Sequence, residues 1–193
     1  VIRRAVAGLS HTLVLTDKGE LYGWGTNKLS QLGLDRSVRQ VMTPRHIPVP
    51  LAEDERIVDL ATGLSHTLLY TDRGNVYAFG ANQYGQAGTG KLEGSVLPTR
   101  VLSSPGIRHI ACGNFNSFCV TRGNEVYVWG LGSDYQLCSG QKELVMRPTE
   151  LTDQCFKDFD VLQIASGWSH TLARVRLKPN KTIEEIIGSP AEQ

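Results

Sequence analysis

One short phrase recurs four times along the chain, and it constrains the fold more than any other feature. It reads Ala7-Gly8-Leu9-Ser10-His11-Thr12-Leu13, then Ala61-Thr62-Gly63-Leu64-Ser65-His66-Thr67-Leu68. A weaker copy, Ala111-Cys112-Gly113-Asn114-Phe115-Asn116-Ser117-Phe118, precedes Ala165-Ser166-Gly167-Trp168-Ser169-His170-Thr171-Leu172. The four glycines stand 55, 50 and 54 residues apart. Self-similarity at a period of about 50 residues marks a propeller or another array, in which each unit needs neighbours to bury its faces.

Within each unit the pattern is that of short strands. An apolar stretch (Ile57 to Ala61, Ile107 to Ala111, Val161 to Ala165) stops at the glycine. A second apolar stretch begins at His11, His66, Asn116 and His170. Then comes a tight turn, Asp17-Lys18-Gly19, Asp72-Arg73-Gly74 or Arg122-Gly123-Asn124. Gly and Asn are the residues that best tolerate the left-handed backbone of such turns. A third strand ends in an aromatic residue and glycine: Trp24-Gly25, Phe79-Gly80, Trp129-Gly130. A polar loop follows, centred on Gln31-Leu32-Gly33, Gln86-Ala87-Gly88 and Gln136-Leu137-Cys138. The unit closes on a segment containing Pro44, Pro98 or Pro148, and proline in a sheet belongs at an edge. Four short strands per unit with no helical period predict an all-β chain of propeller blades. The units fall at about residues 1–50, 51–101, 102–151 and 152–176, so there are about three and a half blades. A tail over 177–193 carries a capping pattern, Thr182 to Glu185, that predicts a short helix at 183–187.

The Gly-x-x-His-Thr-Leu phrase, the Asp-x-Gly-x-Val-Tyr-x-Trp-Gly hairpin and the Gln-Leu-Gly loop resemble the regulator of chromosome condensation repeat family. The resemblance covers roughly residues 1–175 and is weakest in the third unit, at Asn116-Ser117 and Cys138. It implies a seven-bladed propeller, of which this chain is about half, with the remaining blades upstream of Val1 or in another chain. It further implies a non-enzymatic module that docks protein partners through loops on one face. The settings known for the family are nucleotide exchange on a small Ran-type GTPase, chromatin docking, and substrate recognition in ubiquitin ligases or kinases. A cytoplasmic or nuclear location goes with these roles.

Composition excludes several other classes. A formal net charge of +1 lacks the basic excess of a protein that mainly neutralises nucleic-acid phosphates. No apolar run approaches the length of a membrane span. The four cysteines form no CxxC pair and read as thiols of a reducing compartment. No catalytic triad, nucleophile elbow or metal-ligand spacing stands out, and no cofactor is expected. Gly85 to Lys91 imitates a phosphate loop, but Leu92 replaces the metal-binding hydroxyl residue.

Repetition also tells how to read the tempting residues. His11, His66 and His170, with Asn116 in the third unit, are expected to be buried polar groups bonding strands within each blade. They are not expected to converge on a metal. Trp24, Phe79 and Trp129 are expected to pack between blades. Candidates for partner binding are residues that break the repeat. Lys28, Arg36, Arg39 and Arg45 make the Lys28–Arg45 segment basic, and an acidic Leu51–Leu60 segment follows it. Phe156 and Phe159 flank an insertion, as an exposed anchor or as a cover for the ring. Trp168 stands where Leu9, Leu64 and Phe115 are taken as its equivalents. A photoreceptor branch of the family places tryptophans in Gly-Trp-Arg-His-Thr phrases. Here Ser169 replaces the arginine and only one copy occurs, so that role is not expected.

Overall fold

The computed structural model describes residues 1–151 and 156–182. Three four-stranded antiparallel meanders follow one another in chain order. The first holds β1 (Ile2–Ala7), β2 (His11–Thr16), β3 (Leu21–Thr26) and β4 (Gln40–His46). The second holds β5 (Ile57–Thr62), β6 (His66–Thr71), β7 (Asn75–Gly80) and β8 (Ser95–Ser103). The third holds β9 (Ile107–Cys112), β10 (Asn116–Thr121), β11 (Val126–Leu131) and β12 (Leu144–Glu150). A two-stranded sheet, β13 (Phe159–Ser166) with β14 (Thr171–Leu177), completes the described residues. The first strands β1, β5, β9 and β13 lie side by side, so the sheets are blades arranged about a common axis. No α-helix occurs among the described residues. The helix expected at 183–187 and Cys155 lie outside them.

The core is not inside any blade but between blades. Leu13, Leu15 and Leu21 of the first blade pack with Leu60, Leu69 and Phe79 of the second. Leu68, Tyr70 and Ala78 of the second pack with Ile110, Cys119 and Trp129 of the third. Phe118, Val120 and Val126 of the third pack with Val161 and Ile164 of the fourth sheet. Every residue of β6, β7 and β10 is therefore buried, because these strands are covered on both faces. In β14 exposure alternates residue by residue, because only one face is covered.

The glycine of the repeated phrase is explained by close approach. A Cβ on Gly63 would lie 2.1 Å from the His66 ring and 2.4 Å from the carbonyl oxygen of Gly113 in the next blade. The turn position shows the expected equivalence: Gly19, Gly74 and Asn124 have φ of 81°, 76° and 70°. Asn124 also uses its side chain. Its Nδ2 donates to the Phe159 carbonyl at 2.9 Å, and its Oδ1 accepts from Val161 N at 2.7 Å, joining the third blade to the fourth sheet. Cys138 likewise takes the left-handed backbone of Gly33 and Gly88, with φ of 59° against 68° and 70°.

Phe79 and Trp129 are fully buried against the preceding blade, whereas Trp24, on the leading face of the first blade, is only partly buried. One position in the repeat thus samples two environments. Replacing a fully buried large aromatic by alanine costs about 3–5 kcal/mol. Trp129→Ala should show that loss in chemical denaturation, and Trp24→Ala in the same chain should lose clearly less. Equal losses would refute burial by the preceding blade as the cause.

Candidate functional site

The repeated polar positions form one device at successive blade junctions. The Gln31 carbonyl accepts from Thr67 Oγ1 of the next blade at 3.0 Å, and His11 Nε2 lies 3.4 Å from the same hydroxyl. One junction on, Ser117 Oγ donates to the Gln86 carbonyl at 2.7 Å, with His66 Nε2 at 3.0 Å. A hydroxyl has one proton, and here the carbonyl takes it, so the imidazole must donate from Nε2. Burial lowers the pKa of both rings and Nδ1 of each has no partner to receive a proton, so His11 and His66 are neutral with the proton on Nε2. The Gln side chains brace the same loops: Oε1 of Gln31, Gln86 and Gln136 accepts from the backbone N–H of Leu29, Tyr84 and Asp134.

These bonds correct one expectation. The histidines do not bond strands within a blade; they bond the following blade. The hydroxyl residue after each His or Asn is the other half of the device. At the third junction Asn116 is too short to span the gap alone. The Asn116 side-chain amide lies 3.1 Å from Ser166 Oγ, which lies 2.9 Å from Thr171 Oγ1, and Thr171 Oγ1 donates to the Gln136 carbonyl at 2.8 Å, so the relay is complete when the amide N–H donates to Ser166 and Ser166 donates to Thr171. His170 departs from the expectation of burial: its residue is exposed, because no described blade follows it.

Burial sets the protonation of this device. Desolvation lowers the pKa of His11 to about 4. Desolvation, aided by repulsion from His11, lowers that of His66 to about 3. No group of three or more candidate metal-binding side chains occurs among the described residues. Burial also pushes the Cys112 thiol far up and that of Cys119 to about 12, which makes them unreactive. No disulfide joins the described cysteines.

A second arrangement lies on the face made by the β1–β2 type turns and the β3–β4 type loops. Backbone bonds run around its inner rim: Leu9 N to Leu64 O, Leu64 N to Asn114 O, and Asn114 N to Gly167 O. Counting from the repeat glycines Gly8, Gly63, Gly113 and Gly167 corrects the alignment of Trp168. Its equivalents are Leu9, Leu64 and Asn114. Phe115 belongs instead with Ser10 and Ser65, since each of these three carbonyls accepts from the N–H just after or within the third-strand end, at Leu131, Thr26 and Ala81. Phe115 bridges two other aromatics. Its ring is 4.9 Å from Tyr84 and 6.2 Å from Trp168, the latter edge-on at 90°. The arc Tyr84–Phe115–Trp168 therefore crosses three successive sheets. Trp168 is 66% exposed, Leu9 71%, Tyr135 53%, and Leu29 and Tyr84 41% each. The sequence reading missed Tyr84, Tyr135 and Leu29. Their signal was positional: Leu29 and Tyr84 stand two residues before the loop glutamine, and Tyr135 directly precedes it.

The basic segment is dispersed. Lys28, Arg36 and Arg39 are exposed on or beside the loop of this face, and Arg36 Nη2 donates to the Gly94 carbonyl of the second blade at 3.3 Å. Arg45 lies near the far end of the edge strand β4, opposite Gly23, and does not join them. The acidic segment serves the scaffold: Asp59 pairs with Arg4 across blades at 3.2 Å, and Glu55 is buried. Phe156 and Phe159 are half-buried, and Phe156 packs on the third core cluster, so it covers the core rather than standing out as an anchor.

The regulator of chromosome condensation (RCC1) repeat model matches residues 18–70, 73–120 and 124–174. The chain belongs to this family. It is 29% identical over 175 residues to the human regulator of chromosome condensation, covering 90% of this chain and 41% of the relative. Human WBSCR16 superposes with a TM-score of 0.81 at 30% identity, over 91% of this chain and 46% of that one. Yeast Prp20p gives a TM-score of 0.82 at 21% identity, over 93% and 44%. The chain thus spans less than half the length of these relatives. Each matched family segment runs from the third strand of one blade to the second of the next, so it straddles a blade junction.

The junction chemistry makes stability depend on pH. Unfolded histidine titrates near 6.5, and folded His11 and His66 remain neutral to about 4 and 3. Their contribution is complete above about pH 6.5 and is lost as the pH falls toward the folded values, by up to roughly 3 kcal/mol each at pH 4. His66→Asn should flatten this fall in denaturation series between pH 7 and 4, and an unchanged slope would contradict the assignment.

Proposed function

We propose that this chain is part of a propeller scaffold that docks protein partners on the face carrying Tyr84, Phe115 and Trp168. The observation that supports the reading is the contrast between two sets of departures from the repeat. Those at the junctions have internal partners, whereas the aromatic arc keeps much of its surface toward solvent. Clustered exposed aromatics are the usual energetic centre of a protein interface, with charged residues at the rim. Lys28, Arg36 and Arg39 on the neighbouring loops would supply that rim. The function is binding without covalent chemistry. The full propeller of seven blades, completed by polypeptide outside these residues, is the working form. An intracellular site of action goes with partners of this kind.

Two partner classes follow from the relatives. Prp20p, which shares the fold, is described by its binding to Gsp1p and histones, and the human relative regulates chromosome condensation. A small Ran-type GTPase and chromatin are therefore the leading candidates, and nucleotide exchange is the alternative to simple docking. Substrate recognition within a ligase or kinase is a lesser reading that the structure favours by no particular feature.

The test measures binding of the chain to a Ran-type GTPase and to mononucleosomes, together with release of fluorescent GDP. Trp168→Ala should weaken binding at least about tenfold, in keeping with loss of an interface aromatic. It should leave the denaturation midpoint nearly unchanged, because the residue is exposed. Binding untouched by Trp168→Ala, Tyr84→Ala and Phe115→Ala together would remove this face from the function. Accelerated GDP release would establish exchange.

A further inference from the structure

Each sheet brings together two positions at the end of its first hairpin: the residue before Ile2, Ile57, Ile107 or Val161, and the residue that closes the second strand. The Asp17 N–H donates to the Val1 carbonyl, that of Asp72 to Arg56 and that of Arg122 to Gly106, while Arg176 stands opposite Asp160 in the fourth sheet. At three of these places a carboxylate is present and engaged. Asp17 accepts from the Val1 nitrogen at 3.1 Å, Asp72 from the Arg56 N–H at 3.0 Å, and Asp160 pairs with Arg176 at 2.9 Å. The third blade breaks the pattern. Arg122 stands where the first two blades have aspartate, and its counterpart Gly106 has no side chain. Among the described residues no carboxylate forms an ion pair with Arg122.

Arg122 lines a cleft of about 460 Å³ between the second and third blades, on the face of the β2–β3 type turns and so opposite the aromatic arc. Tyr70 and Arg108 line it as well. Tyr70 stands where the neighbouring blades have Leu15 and Val120, and its hydroxyl donates to the Arg108 carbonyl at 3.4 Å. Arg108 Nη2 donates to the Val161 carbonyl, while its Nε is buried without a partner among the described residues. This guanidinium is thus held in place by a carbonyl and not by a carboxylate. Burial raises the pKa of Tyr70 and Asp59 adds to that, whereas Arg3 and Arg122 act against it, so both guanidiniums lie near the phenol. The acids close by are already engaged: Asp59 by Arg4 at 3.2 Å, and Asp72, at the cleft wall, by the Arg56 N–H.

We propose that this cleft binds the phosphoryl group of a phosphate monoester, which takes the place of the carboxylate that the third blade lacks. A guanidinium presents a planar fork of donors that matches two phosphoryl oxygens, and Arg122 has its whole fork to offer. Gly106 leaves the space: the atoms nearest to a Cβ there would be the stem carbons of Arg122, 3.6 to 3.9 Å away. The Tyr70 hydroxyl, whose present bond is long, turns to a third oxygen. A carboxylate ligand would answer one cation, whereas a phosphoryl dianion answers both Arg122 and Arg108. The cleft is larger than a phosphoryl group and lies in the size range of small-molecule sites, with Val58 and Ile107 as a wall for the organic part. A small free monoester and a phosphorylated side chain of a protein share this chemistry.

The test titrates the chain with phenyl phosphate, inorganic phosphate and a short phosphoserine peptide, read by phosphorus NMR at low salt and about pH 7.5, where a monoester is dianionic. Saturable one-to-one binding of phenyl phosphate or the peptide with a dissociation constant below about 1 mM is expected. Arg122→Asp installs the residue that the first two blades carry, so the denaturation midpoint should hold while affinity falls at least about tenfold. Gly106→Asp keeps every guanidinium and supplies the carboxylate that Asp160 gives Arg176. It should weaken binding by a similar factor, and aspartate tolerates the left-handed backbone at this position, φ 74°, better than most residues. Phenyl phosphate binding more tightly than the peptide makes a small monoester the ligand, and the reverse order makes it a phosphorylated side chain. Absence of saturation by both below about 1 mM, or unchanged affinity in either variant, overturns the proposal. None of these outcomes depends on which partner the aromatic face takes, so this proposal and the docking function fail separately.

Discussion

The structure depends on a proton count at the blade junctions. A hydroxyl on one blade gives its single proton to a loop carbonyl of the preceding blade and takes a proton from that blade's imidazole. All three groups are buried, and a buried polar group without a partner costs about 1–3 kcal/mol. The hydroxyl and the carbonyl are therefore paired at each of these junctions, and the imidazole, whose buried Nδ1 meets no partner, is neutral with its proton on Nε2. The repeated phrase follows from this requirement. Glycine lets the His ring lie flat on the backbone, the next blade's carbonyl approaches the same point, and the Thr after the His serves the junction on its other side. The phrase thus joins a blade to both neighbours at once.

An array held this way differs from a sheet sandwich with a central core. Each blade's faces are completed by its neighbours, and the same sequence position changes character with its place in the row. Trp24 and Trp129 differ in burial for this reason, as do His66 and His170. The alternating exposure of β14 is the profile β10 would show if nothing lay beyond it. Stability is then a sum of junction energies more than of blade energies.

The blades were legible in the sequence because a strand period of two, a turn glycine and an edge proline are local signals. Even the substitution of Asn124 for Gly19 and Gly74 could be read, since left-handed backbone is a property of a single residue. The junction device was half legible. Recurrence marked His11, His66, Asn116 and His170 as structural, but not whether the partner lay in the same blade or the next, because period carries no information on distance. The surface was the least legible part. An exposed tyrosine and a buried one look alike in a sequence, and the arc Tyr84–Phe115–Trp168 draws each ring from a different unit and a different position in the repeat. Phe115 was assigned one place too early for the same reason: the weak third phrase offers no His to count from.

Departures from the repeat in this chain come in compensating sets. Asn116 replaces a histidine, and Ser166 supplies the relay that restores contact with Thr171. Asn75 replaces the glutamate that Thr16 and Thr121 meet in Glu20 and Glu125. Glu55 enters from the preceding segment to accept from Thr71 at 2.6 Å and from Asn75 at 2.8 Å. At these two positions a neighbouring side chain compensates for the departure. A departure with no such repair inside the fold cannot be explained by the scaffold's needs. Trp168, where the repeat has Leu9, Leu64 and Asn114, meets among the described residues only the edge of Phe115 as a ring neighbour and keeps two-thirds of its surface in solvent. Arg174, where the repeat has apolar residues, faces solvent beside a strand edge that no other described strand pairs. These two residues mark two different surfaces, one on the face of the loops and one at the end of the row of blades.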